Sequence, residues 1–95
     1  MSAIIINCPG GNIVQHVLTG LHYLQTGASV AVIYCASACL NLIGQIPPER
    51  VCFYPQAWIG YHTAARLPDG TEPTWTMRWE RGRDWIARGY PECKR

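Results

Sequence analysis

An α/β fold built from βαβ units around a parallel sheet is the architecture that this sequence predicts, on three observations. Two short runs, Ala3–Asn7 (AIIIN) and Ser29–Tyr34 (SVAVIY), are rich in β-branched residues and show no polar alternation, the pattern of strands buried on both faces. Between them Ile13, Val17, Leu21 and Leu24 recur at helical spacing, with Val14 and Leu18 beside them. Cys8-Pro9-Gly10-Gly11 separates the first strand from that helix. The order strand, glycine turn, helix, strand is a βαβ unit, for which a right-handed crossover is expected.

Each element has its own boundary signals. Asn12 is a capping residue for the first helix, and Gly27 stands where a helix ends in a left-handed residue. After the second strand, Leu40, Leu42 and Ile43 point to a second helix beginning near Ser37 and ended by Gly44 to Pro48. Arg50–Tyr54 reads as a third strand and Trp58–Tyr61 as a short fourth one that delivers His62. Residues 66–73, with Asp69-Gly70, read as a loop. A final helix is expected over 74–88, stopped by Gly89, with Trp75, Trp79 and Ile86 near one face and Trp85 flanking it. No internal repeat or low-complexity tract is visible.

A chain of 95 residues holds one domain at most. Its 48% hydrophobic and 15% charged content fits a globular core and excludes the composition of a disordered chain. A net charge of +2 is too weak to imply nucleic acid, which favours a clustered basic patch. The most apolar stretch, residues 29–46, is interrupted by Ser, Asn, Gly and Gln, so no membrane span is expected. No basic segment precedes the first apolar run, so a cytoplasmic location is the expectation. Charge is unevenly placed: Glu49 and Arg50 are the only charged residues before position 66. Residues 1–65 therefore read as core, and 66–95 as a solvated or partner-facing loop and Trp-rich helix.

The cysteines (8, 35, 39, 52 and 93) are odd in number. In a cytosolic protein they would be reduced and serve as small buried hydrophobes. Cys35 and Cys39 lack the spacing of a redox or zinc pair. A disulfide remains the alternative if related proteins are exported.

Three features carry candidate chemistry. Pro9-Gly10-Gly11 lies between a strand and a helix, where exposed N–H groups can hold an oxyanion; as a bare turn it needs no function. It is neither a Walker A loop nor a dinucleotide fingerprint, and no cofactor and no ATP site are expected. Ser37 stands among small residues between a strand and a helix, where a nucleophile is exposed and the Ala38 N–H faces a developing oxyanion; a helix-capping serine is the plain alternative. His62 ends an apolar strand, a place for a general base or for a structural histidine. His16 and His22 lie six apart on one helix and share no face as ligands, so both read as non-catalytic and no metal site is expected.

In order, Asn7-Cys8-Pro9-Gly10-Gly11, Cys35-Ala36-Ser37-Ala38-Cys39 and Gly60-Tyr61-His62 resemble the Clp protease proteolytic subunit and its relatives in the ClpP/crotonase superfamily, above all the small, often extracytoplasmic Clp-protease-like group. The likeness spans roughly residues 3–65. It implies ClpP/crotonase-like βαβ spiral units, with Ser37 as nucleophile, His62 as general base and the N–H groups of Gly11 and Ala38 as oxyanion hole. It implies a peptide or protein substrate and a homo-oligomer, and leaves open an ATP-driven unfoldase partner. Against the family pattern the first strand–helix unit is missing and the chain stops before the segment bearing the triad acid, so truncation at both ends is expected. Glu80 and Asp84 sit on the expected last helix and are assigned no such role. Two readings follow: a serine-type peptidase-like hydrolase, or an inactive remnant acting as an assembly module. A crotonase-type acyl-thioester enzyme is a third, disfavoured by Ser37 and His62 together.

Overall fold

The computed structural model describes residues 3–65 and 74–94. The described residues form a mixed α/β fold: a four-stranded sheet in the order β1-β2-β3-β4, with three helices. The strands are β1 (Ile4–Cys8), β2 (Val30–Ala36), β3 (Val51–Ala65) and β4 (Thr74–Arg81). The helices are α1 (Ile13–Thr26), α2 (Cys39–Ile43) and α3 (Gly82–Ala87), and a 3₁₀ turn covers Pro48–Arg50.

The βαβ unit is present, but β1 is an edge strand rather than one buried on both faces: Ile6 is buried there, while Ile4 and Ile5 are exposed. β1 pairs parallel with β2, and β2 parallel with β3. Asn12 caps α1, its side chain accepting the Gln15 N–H at 3.0 Å. Gly27 ends α1 in the left-handed region, at φ 73°, with its N–H returned to the last turn. Arg50 adds a second cap by donating to the Leu24 carbonyl at 3.3 Å.

Three expectations are corrected. First, residues 50–54 and 58–61 are not separate strands but parts of one strand, β3. Its register against β2 slips between Val32 and Tyr34, so that Phe53 faces Val32 and Trp58 faces Tyr34. The extra residues are absorbed as an irregularity, and Pro55 lies within it, where a missing N–H does least harm. Second, the sheet is not wholly parallel, because β4 runs antiparallel to β3 from Trp58↔Arg81 to Ala65↔Thr74. Third, the expected helix over 74–88 is strand β4 followed by the short helix α3. Trp75 and Trp79 are four apart, an interval that is one helical turn and also two strand repeats. Pairing along β3 decides for the strand. The second helix also begins later than expected, at Cys39. The expected loop over 66–73 lies outside the described residues.

The core lies where β2 and the first half of β3 meet α2 and α3. Val30, Val32, Cys35, Cys39, Val51, Phe53 and Ile59 are fully buried there. Phe53 stacks on Trp85 and meets Tyr90 edge-on, with ring centroids 5.4 and 5.1 Å apart. α1 makes its tertiary contacts chiefly with α2. Its Ile13, Val14 and Leu18 are each about three-fifths exposed.

The cysteine expectation is also corrected. Cys52 and Cys93 form a disulfide. The tail returns beside β3, where Phe53 N–H donates to the Pro91 carbonyl and Cys93 N–H to the Phe53 carbonyl, both at 3.0 Å. That pairing sets Cys93 beside Cys52. Cys8, Cys35 and Cys39 are free thiols, the latter two buried.

Candidate active site

The site grows from two turns at the same end of the parallel strands. β2 ends at Ala36, and Ser37 follows at φ 56°. It is the only non-glycine residue in the left-handed region among those described. That conformation costs an L-residue roughly 1–2 kcal/mol, and residues held so tend to gather at functional sites. The neighbours secure it: Ser37 N–H donates to the Gly60 carbonyl at 2.8 Å, and the Ser37 carbonyl accepts the Leu40 N–H at 3.0 Å. Ser37 is half-buried at the start of α2.

The Pro9-Gly10-Gly11 turn sits directly on Ser37. Gly10 has φ 110°, and a Cβ there would lie 2.9 Å from the Ala36 carbonyl oxygen and 3.0 Å from Ser37 Cβ. Only glycine allows that approach. Gly11 follows at φ 140°. Among the described residues, the N–H groups of Gly11 and Ala38 enter no internal hydrogen bond. The residues assigned to an oxyanion hole are thus neighbours in space through Gly10, with unused donors.

His62 lies on β3 two residues beyond Gly60, opposite Met77 of β4, and is exposed. The glycine before it is required by its neighbour: a Cβ at Gly60 would fall 2.6 Å from the Trp79 ring and 2.8 Å from the Met77 methyl. Trp79 lies over Gly60, and with Tyr34 and Trp58 it lines a groove of about 380 Å³. Strand alternation puts Trp58, Gly60 and His62 on one face. Arg81 stacks on Trp58, 3.4 Å from the ring centroid. No hydrogen bond joins Ser37 to His62.

Glu80 and Asp84 are each engaged by a partner other than His62. Glu80 pairs with Arg88, whose Nη1 donates to Oε1 at 3.1 Å. That hydrogen bond holds the Glu80 carboxyl below its ordinary pKa. Asp84 caps α3, its Oδ2 accepting the Arg81 N–H at 2.9 Å. Among the described residues no three His, Cys, Asp or Glu side chains are arranged to hold a metal ion.

Sequence reasoning passed over His16. Its Nε2 lies 3.3 Å from Cys8 Sγ and its Nδ1 lies 2.6 Å from the Asn12 carbonyl oxygen. A carbonyl only accepts, so Nδ1 carries the proton and Nε2 presents a lone pair to the thiol. The available signal was the helix itself: Asn12 and His16 are one turn apart, and α1 starts immediately after the turn that follows Cys8. His22 is on the exposed side of α1.

No known family model matches the chain, and comparison with the curated proteins and with the solved structures finds no match.

Proposed function

We propose that the chain is a serine-type, Clp-protease-like hydrolase domain of the ClpP/crotonase kind, acting on a peptide or ester carbonyl. The observation that carries this reading is the left-handed Ser37, held between the Gly60 carbonyl and the Gly10 turn beside two unused backbone N–H groups. A serine kept in an unfavourable conformation next to spare donors suits attack on a carbonyl whose oxygen becomes negative.

In this mechanism Ser37 Oγ adds to the carbonyl carbon while His62 takes the hydroxyl proton. The N–H groups of Gly11 and Ala38 hold the oxyanion. His62 then gives the proton to the departing amine or alcohol, and water hydrolyses the acyl-enzyme by the same route in reverse. His62 must come within hydrogen-bond reach of Ser37 for this, a contact that catalytic pairs often tighten only with substrate bound. The exposure of His62 is compatible with that approach. Oxidising surroundings fit the Cys52–Cys93 disulfide, as for the exported proteins that the motifs resemble.

A second reading, an inactive assembly module, is favoured by the open Ser37–His62 pair together with the exposed apolar residues of α1. Fluorophosphonate labelling of the purified chain separates the two. Covalent labelling that is lost in both Ser37→Ala and His62→Ala supports the hydrolase. A folded chain that takes no label sinks it, and self-association measured by light scattering would then support the assembly module.

A further inference from the structure

The three free thiols form one cluster beneath the two turns just described. Cys8 and Cys35 are partners in the β1–β2 register. Cys39 begins α2; Cys35 and Cys39 belong to one buried core cluster, and Cys8 packs against it. Cys8 is the member with solvent access; Cys35 and Cys39 have none. Cys8 is also the one with a base beside it, His16, which the Asn12 carbonyl orients with its Nε2 lone pair toward the sulfur. A nucleophile, a base and a third group orienting the base are the parts of an activated thiol.

We propose that Cys8 is a thiol–disulfide exchange site for a low-molecular-weight disulfide, with His16 as proton acceptor and Cys39 as the resolving thiol. Cys8 Sγ attacks one sulfur of the small disulfide while His16 Nε2 takes the Cys8 proton. The S–S bond of the reagent breaks, and its departing thiolate takes that proton from His16. Cys39 Sγ then attacks Cys8 Sγ, the mixed disulfide breaks, and the second small thiolate leaves with the Cys39 proton. Two electrons pass from the cysteine pair to the reagent, which leaves as two thiols.

The base is needed because the thiols are poorly ionised. Burial, with the Cys39 thiol as the next cause, pushes Cys8 up to about 11. Cys39 is raised further, chiefly by Cys35 and then by burial. Cys39 therefore reacts only with a sulfur already delivered beside it. The Cys52–Cys93 bond implies surroundings in which disulfide oxidants occur. The product would join the end of β1 to the start of α2 and tie the Gly10 turn to the Ser37 turn. The exchange itself is independent of any hydrolytic role for Ser37.

The test is incubation of the whole chain with glutathione disulfide, acid quenching, alkylation and peptide mapping without reduction. A Cys8–Cys39 link, with Cys35 recovered alkylated, is the expected product. Cys39→Ser should instead accumulate glutathione on Cys8. His16→Gln should slow the first step by about tenfold or more. A wild-type chain whose three thiols stay free, a Cys35–Cys39 or Cys8–Cys35 link, or a His16→Gln rate equal to wild type would each overturn the assignment. The wild-type map decides even if a variant does not fold.

Discussion

The ends of β1 and β2 carry two different kinds of preparation. At the end of β2 the backbone is prepared: Ser37 is held left-handed and donor groups stand free beside it, yet its side chain has no base attached. At the end of β1 the side chains are prepared: Cys8, His16 and the Asn12 carbonyl form a chain of contacts at 3.3 and 2.6 Å. Gly10 lies between the two and touches the first directly. A backbone device is built by strand ends and turns, which the sheet positions. A side-chain device needs only one helical turn facing a strand end. The two can therefore be broken separately.

The largest effect is expected where they meet. Gly10→Ala would force a Cβ against the Ala36 carbonyl and Ser37 Cβ at a positive φ. It should cost about 2–4 kcal/mol and abolish both fluorophosphonate labelling and Cys8–Cys39 linkage. A urea midpoint close to wild type would mean that the turns are not in contact. Next is the Cys52–Cys93 bond, which lies away from both turns. Cys93→Ser should lower stability by about 3–4 kcal/mol, read from the urea midpoint. In the folded fraction it should leave the ratio of Ser37 labelling to Cys8 exchange unchanged.

Ser37→Gly sharpens the comparison from the other side. It relieves the left-handed strain but adds freedom to the unfolded chain. The net gain should be at most about 1 kcal/mol in thermal unfolding, with labelling lost and Cys8 exchange kept. Clear destabilisation would show that the Ser37 side chain supports the turn. The smallest effect is expected at Glu80, which touches neither device. Its depressed pKa means that its contribution is present above the ordinary carboxylate pKa of about 4.3 and lost as pH falls through the lower folded value. Glu80→Gln should therefore flatten the acid limb of stability slightly and change nothing at pH 7 beyond the small loss of a surface pair.

How much of this could be read from the sequence differs between the same regions. β1, α1 and β2 were legible as elements because an apolar β-branched run and a helical repeat each write a distinct pattern, and Asn12 and Gly27 mark the helix ends; the burial of β2 was legible too, but not the edge position that leaves Ile4 and Ile5 of β1 exposed. Ser37, Gly10 and Gly11 were legible as turn residues among small neighbours. β4 was not, because Trp75 and Trp79 satisfy both repeats and long-range pairing with β3 settles the matter. The join between 50–54 and 58–61 was hidden by Pro55, which reads as a break and serves within an irregular strand. Cys8–His16 needed the orientation of a helix against a strand end. The Cys52–Cys93 pairing needed the return of the tail along Phe53. Spacing states neither.

That tail bond has a topological consequence. It closes a covalent ring over a sequence separation of 41, and His62 lies inside the ring while Ser37 and Cys8 lie outside it. A single backbone cut anywhere between Cys52 and Cys93 would leave one molecule, running as a single band until reductant is added and as two fragments afterwards. The strand bearing His62 could thus be nicked without being shed, and the two halves of the Ser37–His62 pair would remain parts of the same molecule.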